Sequence, residues 1–238
     1  MSAFDVWGFI TARGGSKTIP LKNMALLNGR PLIDYAIRAG RASASLSRIV
    51  CSTESAAIAE HCRAAGVEVH DRPTALAEDN VPTLDVLLDW LEVLQRTGRA
   101  LPEIVALLEP TSPFLLPEHV EQCVVRLRAR GDADSAQTVA PVAPNSHAFN
   151  QRALRGDAVE FVFSEERRRH FNKQLKPAFY VHGNVRVFRT GSLLGKRDLY
   201  GELSLAVPIP RLYAMDVDGP EDLQLAECIL RCGLVALP

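Results

Sequence analysis

The sequence predicts an α/β protein: a mainly parallel sheet with helices on both faces. Three observations carry the prediction. Short apolar runs of strand length alternate with amphipathic stretches of helix length along most of the chain. Turn and capping residues fall between them rather than inside them. Finally, 238 residues at 47% hydrophobic content supply the apolar side chain that one large core needs. Sheets of this kind bind ligands at the carboxyl ends of their strands. The loops after Ala12, Ser52, His70 and Leu108 are therefore expected along one rim.

The elements follow in order. Val6 to Ala12 is a buried strand that runs into Arg13-Gly14-Gly15-Ser16-Lys17. Pro31 suits a first helical turn, and Leu32, Tyr35, Ala36 and Ala39 recur at helical spacing through Arg41. Arg48 to Ser52 is a strand. Ser55 can cap a helix through Ala65, with Ile58, Cys62 and Ala65 on one face and Gly66 as its stop. Val67 to His70 is the next strand, and Arg72 to Pro82 a loop. Thr83 to Thr97 is a helix with Leu84, Leu87, Leu88, Leu91 and Leu94 on one stripe. Ile104 to Leu108 and Ser135 to Val139 are strands on either side of a helix from Pro117 to Arg130. Residues 140–180 break the alternation: the stretch is charged, with Glu165-Glu166-Arg167-Arg168-Arg169, its strands are weak, and it reads as an inserted arm. Val185 to Phe188, Leu205 to Pro208 and Leu212 to Val217 resume the strands, and Pro220 to Arg231 closes the chain with a helix. No repeat or long linker divides the chain, so a single domain is expected.

The net charge of −1 argues against a protein that coats nucleic acid or an anionic membrane. No apolar run reaches the ~18–20 residues of a membrane span. Met1 to Phe4 shows no secretory pattern, so the cytoplasm is the expected location. The five cysteines are odd in number and widely spaced, and no Cys-x-x-Cys pair suggests zinc. Cys228 and Cys232, four apart, read as small core residues on one helix face. The basic residues are lopsided, 22 Arg against 5 Lys, and two of the five, Lys17 and Lys22, fall in one glycine-containing loop.

That loop is the first chemical signal. Paired glycines let the backbone turn tightly and present N–H groups, and Arg13, Lys17 and Lys22 at a strand end can cradle a polyphosphate. It is neither a Walker loop nor Gly-x-Gly-x-x-Gly, and a solvated basic loop is the alternative. The second signal is Asp216-Val217-Asp218. On a strand, its two carboxylates would share a side and could hold Mg²⁺ beside a phosphate. Alternatively, Asp218 opens the turn into the Pro220 helix and Asp216 makes a structural pair. Glu109-Pro110-Thr111-Ser112-Pro113, and Arg72-Pro73 with Asp79 and Thr83, are weaker when taken singly.

Taken together and in order, these segments resemble the cytidylyltransferases that activate acidic sugars, above all the acylneuraminate (CMP-N-acetylneuraminate synthetase) family. That family opens roughly as Pro-Ala-Arg-Gly-Gly-Ser-Lys-Gly-Ile-Pro-x-Lys-Asn, and this chain has Thr11-Ala12-Arg13-Gly14-Gly15-Ser16-Lys17-Thr18-Ile19-Pro20-Leu21-Lys22-Asn23. Asn28 to Ile33, Ser52-Thr53-Glu54, Arg72-Pro73 through Asp79, Leu107 to Pro113 and Met215 to Asp218 also resemble family segments in sequence order. The resemblance implies a Rossmann-like fold with a protruding arm that forms a homodimer, which residues 140–180 would supply. It implies CTP and an acidic sugar as substrates, CMP-sugar and pyrophosphate as products, and Mg²⁺ as cofactor. By position, Arg13, Ser16, Lys17 and Lys22 would hold the triphosphate, with Ala12 and Gly14 in the same nucleotide loop. Asn23, Arg72 and Thr83 would bind cytidine. Asp216 and Asp218 would bind Mg²⁺ and, with Arg13 and Lys22, carry the chemistry. Glu109, Thr111, Ser112 and Tyr180 would meet the sugar.

Three departures stand out. Glu109 replaces a Gln, Leu115 replaces an Arg, and Tyr180-Val181-His182-Gly183-Asn184-Val185 reverses the Asn-Gly order of Tyr-x-x-Asn-Gly-Ala. All three are expected at the sugar side, and an acceptor carrying a cationic group to pair with Glu109 would explain the first. The alternatives are a nucleotidyltransferase for another sugar or nucleotide, and a non-catalytic nucleotide-binding homologue.

Overall fold

A computed structural model describes residues 5–237. Its centre is a seven-stranded sheet. The strands in chain order are β1 (Val6–Thr11), the short pair β2 (Leu26–Leu27) and β3 (Arg30–Pro31), β4 (Arg48–Thr53), β5 (Glu68–Asp71), β6 (Ile104–Leu108), β7 (Ser135–Pro141), the hairpin β8 (Arg152–Arg155) and β9 (Ala158–Phe161), β10 (Tyr180–Arg189) and β11 (Ser204–Pro208). The sheet order is β11-β7-β10-β6-β1-β4-β5. β4, β5 and β6 run parallel to β1, while β10 runs antiparallel to both β6 and β7. The sheet is thus mainly parallel, as expected, with one reversed strand.

The helices are α1 (Leu32–Ala42), α2 (Ala56–Ala64), α3 (Thr83–Arg96), α4 (Pro117–Ala129), α5 (Ser164–Arg169), α6 (Thr190–Lys196) and α7 (Pro220–Arg231). Alternation along β1 splits them between the faces. Val6 and Ile10 face the helices α1, α2 and α4 through Ile33, Ile37, Ile58, Val120 and Val124. Trp7 and Phe9 face α3 and α6 through Leu87, Leu91 and Leu193. Trp90 of α3 stacks on Phe9 with ring centroids 4.4 Å apart. Gly40 lets α1 approach the sheet closely, since a Cβ there would lie 2.9 Å from both Ile49 and Leu108.

Three expectations are corrected. Leu212 to Val217 is no strand: Arg211–Ala214 forms a short 3₁₀ turn after Pro208 and Pro210, and Met215 to Asp218 is extended without a ladder. Cys228 and Cys232 are exposed, because α7 turns Ala226 and Ile229 inward against Leu27, Leu32 and Phe114. Ser55 stands at the start of α2, but its side chain makes no capping bond. Residues 140–180 carry the β8–β9 hairpin as a separate two-stranded sheet, followed by α5, with most side chains exposed. Among the described residues no helix is long and apolar enough to cross a membrane.

One buried acid ties the far edge of the sheet together. Asp134 Oδ2 takes a 2.9 Å bond from Lys196 Nζ and a 2.7 Å bond from the Glu202 backbone N–H. The Lys196 bond, with help from Ser192 and the Glu202 and Leu203 amides, holds its carboxyl far below the usual range. A carboxyl depressed in the folded state adds stability that is complete above its unfolded pKa and drains away as pH falls through the folded value. Asp134→Asn is therefore expected to lower the melting temperature near neutral pH. The gap to the native protein should shrink as pH drops below the 3.8 of an ordinary Asp. Thermal unfolding of both proteins between pH 7 and pH 2 measures this, and a constant gap would refute it.

Candidate active site

The sheet order reverses between β1 and β6. The chain leaves β1 toward β4 and β5, then crosses back over α3 to β6 on the opposite side. Loops that diverge at such a point leave a crevice at the carboxyl ends of the strands. A cleft of about 500 Å³ opens there, within the usual range for small-molecule sites. Its lining comes from the loop after β1 (Arg13, Ser16, Lys17, Lys22, Asn23), from Arg72 after β5, from Asp79 and Thr83, from Glu109 and Thr111 after β6, and from Asp218.

Short-range bonds set the shape of the loop after β1. Asn23 Nδ2 donates to the Arg13 carbonyl at 2.8 Å and closes it. The Gly14 N–H donates to Glu54 Oε1 at 2.7 Å, and a Cβ at Gly14 would press on Ser55 at 2.9 Å. Gly14 is thus required by its packing against the start of α2. Leu21, in a left-handed conformation (φ 46°), turns the chain so that Lys22 points back toward the cleft mouth. Lys22 Nζ meets Asp218 Oδ1 at 3.3 Å. Arg13 and Lys17 both hold Asp79, at 2.8 Å and 2.6 Å. The Lys17 hydrogen bond is the main reason that the Asp79 carboxyl lies below its ordinary range.

Arg72 is buried under the cleft. It donates through Nε to Ser52 Oγ at 3.1 Å and through Nη2 to the Ser52 carbonyl at 2.7 Å. Ser52 Oγ lies 3.0 Å from His70 Nδ1, and His70 Nε2 lies 3.2 Å from Asp89 on α3. Burial lowers the His70 pKa, with Asp89 opposing. A polar chain thus runs from the cleft into α3 and fixes the guanidinium.

Asp216 and Asp218 point outward from extended backbone, with Val217 buried between them and its N–H bonded to the Thr111 carbonyl at 2.8 Å. Exposure alternates across the three residues, but of the two carboxylates only Asp218 lines the cleft, and Asp216 lies outside its lining. Desolvation raises the Asp216 pKa; a hydrogen bond from Thr111 works against that, and the charges of Asp218 and Glu109 add to it.

The structure does not gather every expected residue. Ala12 is wholly buried, and its N–H bonds the Ser52 carbonyl. Ser112 is buried within the turn that Glu109 opens. Tyr180 is exposed and lines a different cavity, beside Phe179 and Arg211. Of the three departures, only Glu109 lines the cleft. Leu115 lies in the core among residues of α1 and α4. Asn184 is fully buried, bonded by Thr138 at 3.2 Å and donating to the Tyr213 carbonyl at 2.9 Å. A side chain at 183 would collide with Thr138, so the reversed pair suits this core. Glu109 itself faces two basic side chains on β10: His182, with Nε2 at 3.4 Å, and Arg186, with Nη1 at 4.0 Å. Burial would raise its pKa, but the His182 contact and the Arg186 charge prevail and hold it below the ordinary value. Sequence reasoning missed both partners, as well as Glu54 and Asp89, since nothing local marks them.

An α/β fold with a crevice at its switch point, lined by Arg13, Lys17, Lys22 and Arg72 and by the carboxylates of Glu78, Asp79, Glu109 and Asp218, is of the kind that binds small charged ligands such as nucleotides. The comparisons give the family. The cytidylyltransferase family model matches residues 8–199, and the chain belongs to that family. A CMP-N,N'-diacetyllegionaminic acid synthase of Legionella pneumophila is 28% identical over 230 residues, 96% of this chain and 97% of that protein. An N-acylneuraminate cytidylyltransferase of Streptococcus agalactiae is 26% identical over 215 residues, 90% of this chain but 50% of that protein. The chain thus spans about half the length of the streptococcal relatives. A solved CMP:2-keto-3-deoxy-manno-octonic acid synthetase, complexed with CTP, shares the fold with a TM-score of 0.70 at 15% identity, covering 96% of this chain and 99% of the other.

Proposed function

We propose that this chain activates an acidic sugar with CTP. A sugar hydroxyl oxygen bonds to the α-phosphorus, the bond between the α- and β-phosphates breaks, and CMP-sugar and pyrophosphate result. The observation that carries the reading is the fork of Arg13 and Lys17 around Asp79. An anionic group already occupies the place a phosphate would take, and a triphosphate offers more charge and more oxygens to the same fork. Arg13, Ser16, Lys17 and Lys22 then bind the triphosphate, while Asn23, Arg72 and Thr83 bind the cytidine. The protein's work is positioning and charge neutralisation, which dominate transfers at phosphorus.

The residues present fit Mg²⁺. Among the described residues no group of three or more His, Cys, Asp or Glu could enclose a metal alone. Asp216 and Asp218 offer hard oxygens, and Asp216, desolvated first and then burdened by the charges of Asp218 and Glu109, is a carboxylate that a cation would stabilise. Mg²⁺ held there beside the phosphates would supply charge neutralisation.

The exposed apolar side chains Leu154, Val159, Phe161, Val162 and Phe163 support residues 140–180 as the contact of a homodimer. Light scattering should give twice the 26.1 kDa chain mass, and a stable monomer would refute it. Catalysis is tested by pyrophosphate release with each of the four NTPs, Mg²⁺ and a panel of sugar acids. Release only with CTP and a sugar acid is expected. Release with another NTP, or none with any, would overturn the reading.

A further inference from the structure

One cluster in the cleft is not accounted for by phosphate, cytidine or metal. Glu109 follows β6 and lines the cleft. His182 and Arg186 come from β10, which lies antiparallel against β6. The closest approach of each is to the same oxygen, Oε2, at 3.4 Å and 4.0 Å. The register of β10 on β7 shifts between those two residues, so the strand is irregular where it supplies them. His182 Nδ1 and Nε2 and Arg186 Nε are buried with no hydrogen-bond partner, so Glu109 is approached by both side chains without being hydrogen-bonded by those atoms. Arg186 also lies over the Tyr200 ring at 5.8 Å.

A carboxylate offers about four lone-pair positions and, when ionised, only accepts. Both side chains stand against one oxygen, Oε2, and Glu109 keeps accepting capacity toward the cleft that it lines. A Gln at this place could donate as well as accept; a clamped Glu cannot. Its charge is also already matched by Arg186, so a cationic substituent on the sugar gains little there. This revises the expectation of a cationic acceptor. We infer that Glu109, held by His182 and Arg186, selects the acceptor sugar by taking a hydrogen bond from a neutral donor on it, a hydroxyl or an amide N–H. Glu109 is the specificity-determining residue, and His182 and Arg186 are its positioning residues. The inference rests on the sugar-activating reading.

The test begins with the native protein, CTP, Mg²⁺ and three sugars: N-acetylneuraminate, N,N'-diacetyllegionaminate and 2-keto-3-deoxy-manno-octonate. The best acceptor is then compared with analogues that each lack one hydroxyl or amide. In the native protein one analogue should lose about 10- to 100-fold in kcat/KM, as for a hydrogen bond to a charged group. In Glu109→Ala the same analogue should lose under about threefold, the signature of a direct pair in a double-mutant cycle. Glu109→Met, close in volume and without an acceptor oxygen, repeats the comparison should the Ala variant unfold. His182→Gln, which keeps an N–H donor, should preserve the discrimination. His182→Leu should erode it and raise KM more than it lowers kcat. An equal penalty for every analogue in the native protein and in Glu109→Met would overturn the inference and leave the CTP reading standing. No turnover of any sugar by the native protein would remove both.

Discussion

Lys22→Met is expected to lower kcat/KM for CTP by about 100- to 1,000-fold with little change in melting temperature. The reason is geometric. Lys22 Nζ stands at the cleft mouth, 3.3 Å from Asp218, with 16% of its side chain exposed. It is the one described cation that links the loop after β1 to the carboxylate pair across the cleft. On the proposed reading it meets the phosphates, where negative charge shifts during transfer. A preorganised donor aimed at such charge is worth roughly 2.7–4 kcal/mol. At 1.36 kcal/mol per tenfold this gives the stated loss. The stability cost is small because Asp218 is largely exposed, and such pairs contribute under about 1 kcal/mol. Lys22→Arg should recover part of the rate, since charge returns but the fork differs from an ammonium. Steady-state pyrophosphate release and thermal melts decide the matter. A Lys22→Met protein within threefold of native would remove Lys22 from the reaction.

Much of this site could be read in advance, and the reasons differ between its parts. The β1 loop is legible because its chemistry is contiguous: Arg13, Lys17, Lys22 and Asn23 lie within eleven positions and fold locally. β6 is legible because five apolar residues in a row match a strand buried on both faces, and Ile104–Leu108 is what forms. β10 is another matter. Only Val185 to Phe188 reads as a strand, yet Tyr180–Arg189 pairs. His182, Asn184 and Arg186 interrupt its apolar pattern, because their partners Glu109 and Thr138 are distant in sequence. Its antiparallel sense depends on that long-range pairing and leaves no local mark. α6 escapes for a different reason: Thr190-Gly191-Ser192 and Gly195 are poor helix formers, and packing of Leu193 on the sheet forms it instead.

The case of residues 211–218 shows which inference survives an error. Leu212, Tyr213, Met215 and Val217 suggest a strand, but Arg211–Ala214 closes into a 3₁₀ turn behind Pro210 instead. Exposure alternates there all the same, with Val217 buried between exposed Asp216 and Asp218, and Asp218 reaches the cleft lining.

Asp216→Asn should cut pyrophosphate release by about 100- to 1,000-fold while CTP binding without divalent metal stays equal or becomes tighter. The two halves of that expectation pull apart two roles for the residue. If Asp216 serves Mg²⁺, its loss removes several kcal/mol of charge stabilisation in the transfer step. Without metal, the native carboxylate only repels the triphosphate, so Asn in its place helps or is neutral. If Asp216 were instead a structural partner of Thr111, the variant would disturb the Val217–Thr111 bond beneath it, and metal-free binding and melting temperature would fall together. Asn keeps an acceptor for the Thr111 hydroxyl, so the structural cost should be small. Desolvation of Asp216, with the charges of Asp218 and Glu109 adding to it, also predicts a pH effect. Its raised pKa means that more of it is protonated in mild acid than of an ordinary Asp. Metal-dependent turnover should therefore fall as pH drops toward that raised value, before an ordinary carboxylate would titrate. In Asp216→Asn that acid limb should be lost from the residual activity. Calorimetric CTP titrations with and without Mg²⁺, set beside pH–rate profiles of both proteins, carry the test. An unchanged rate, or an acid limb retained in the variant, would take the metal away from Asp216.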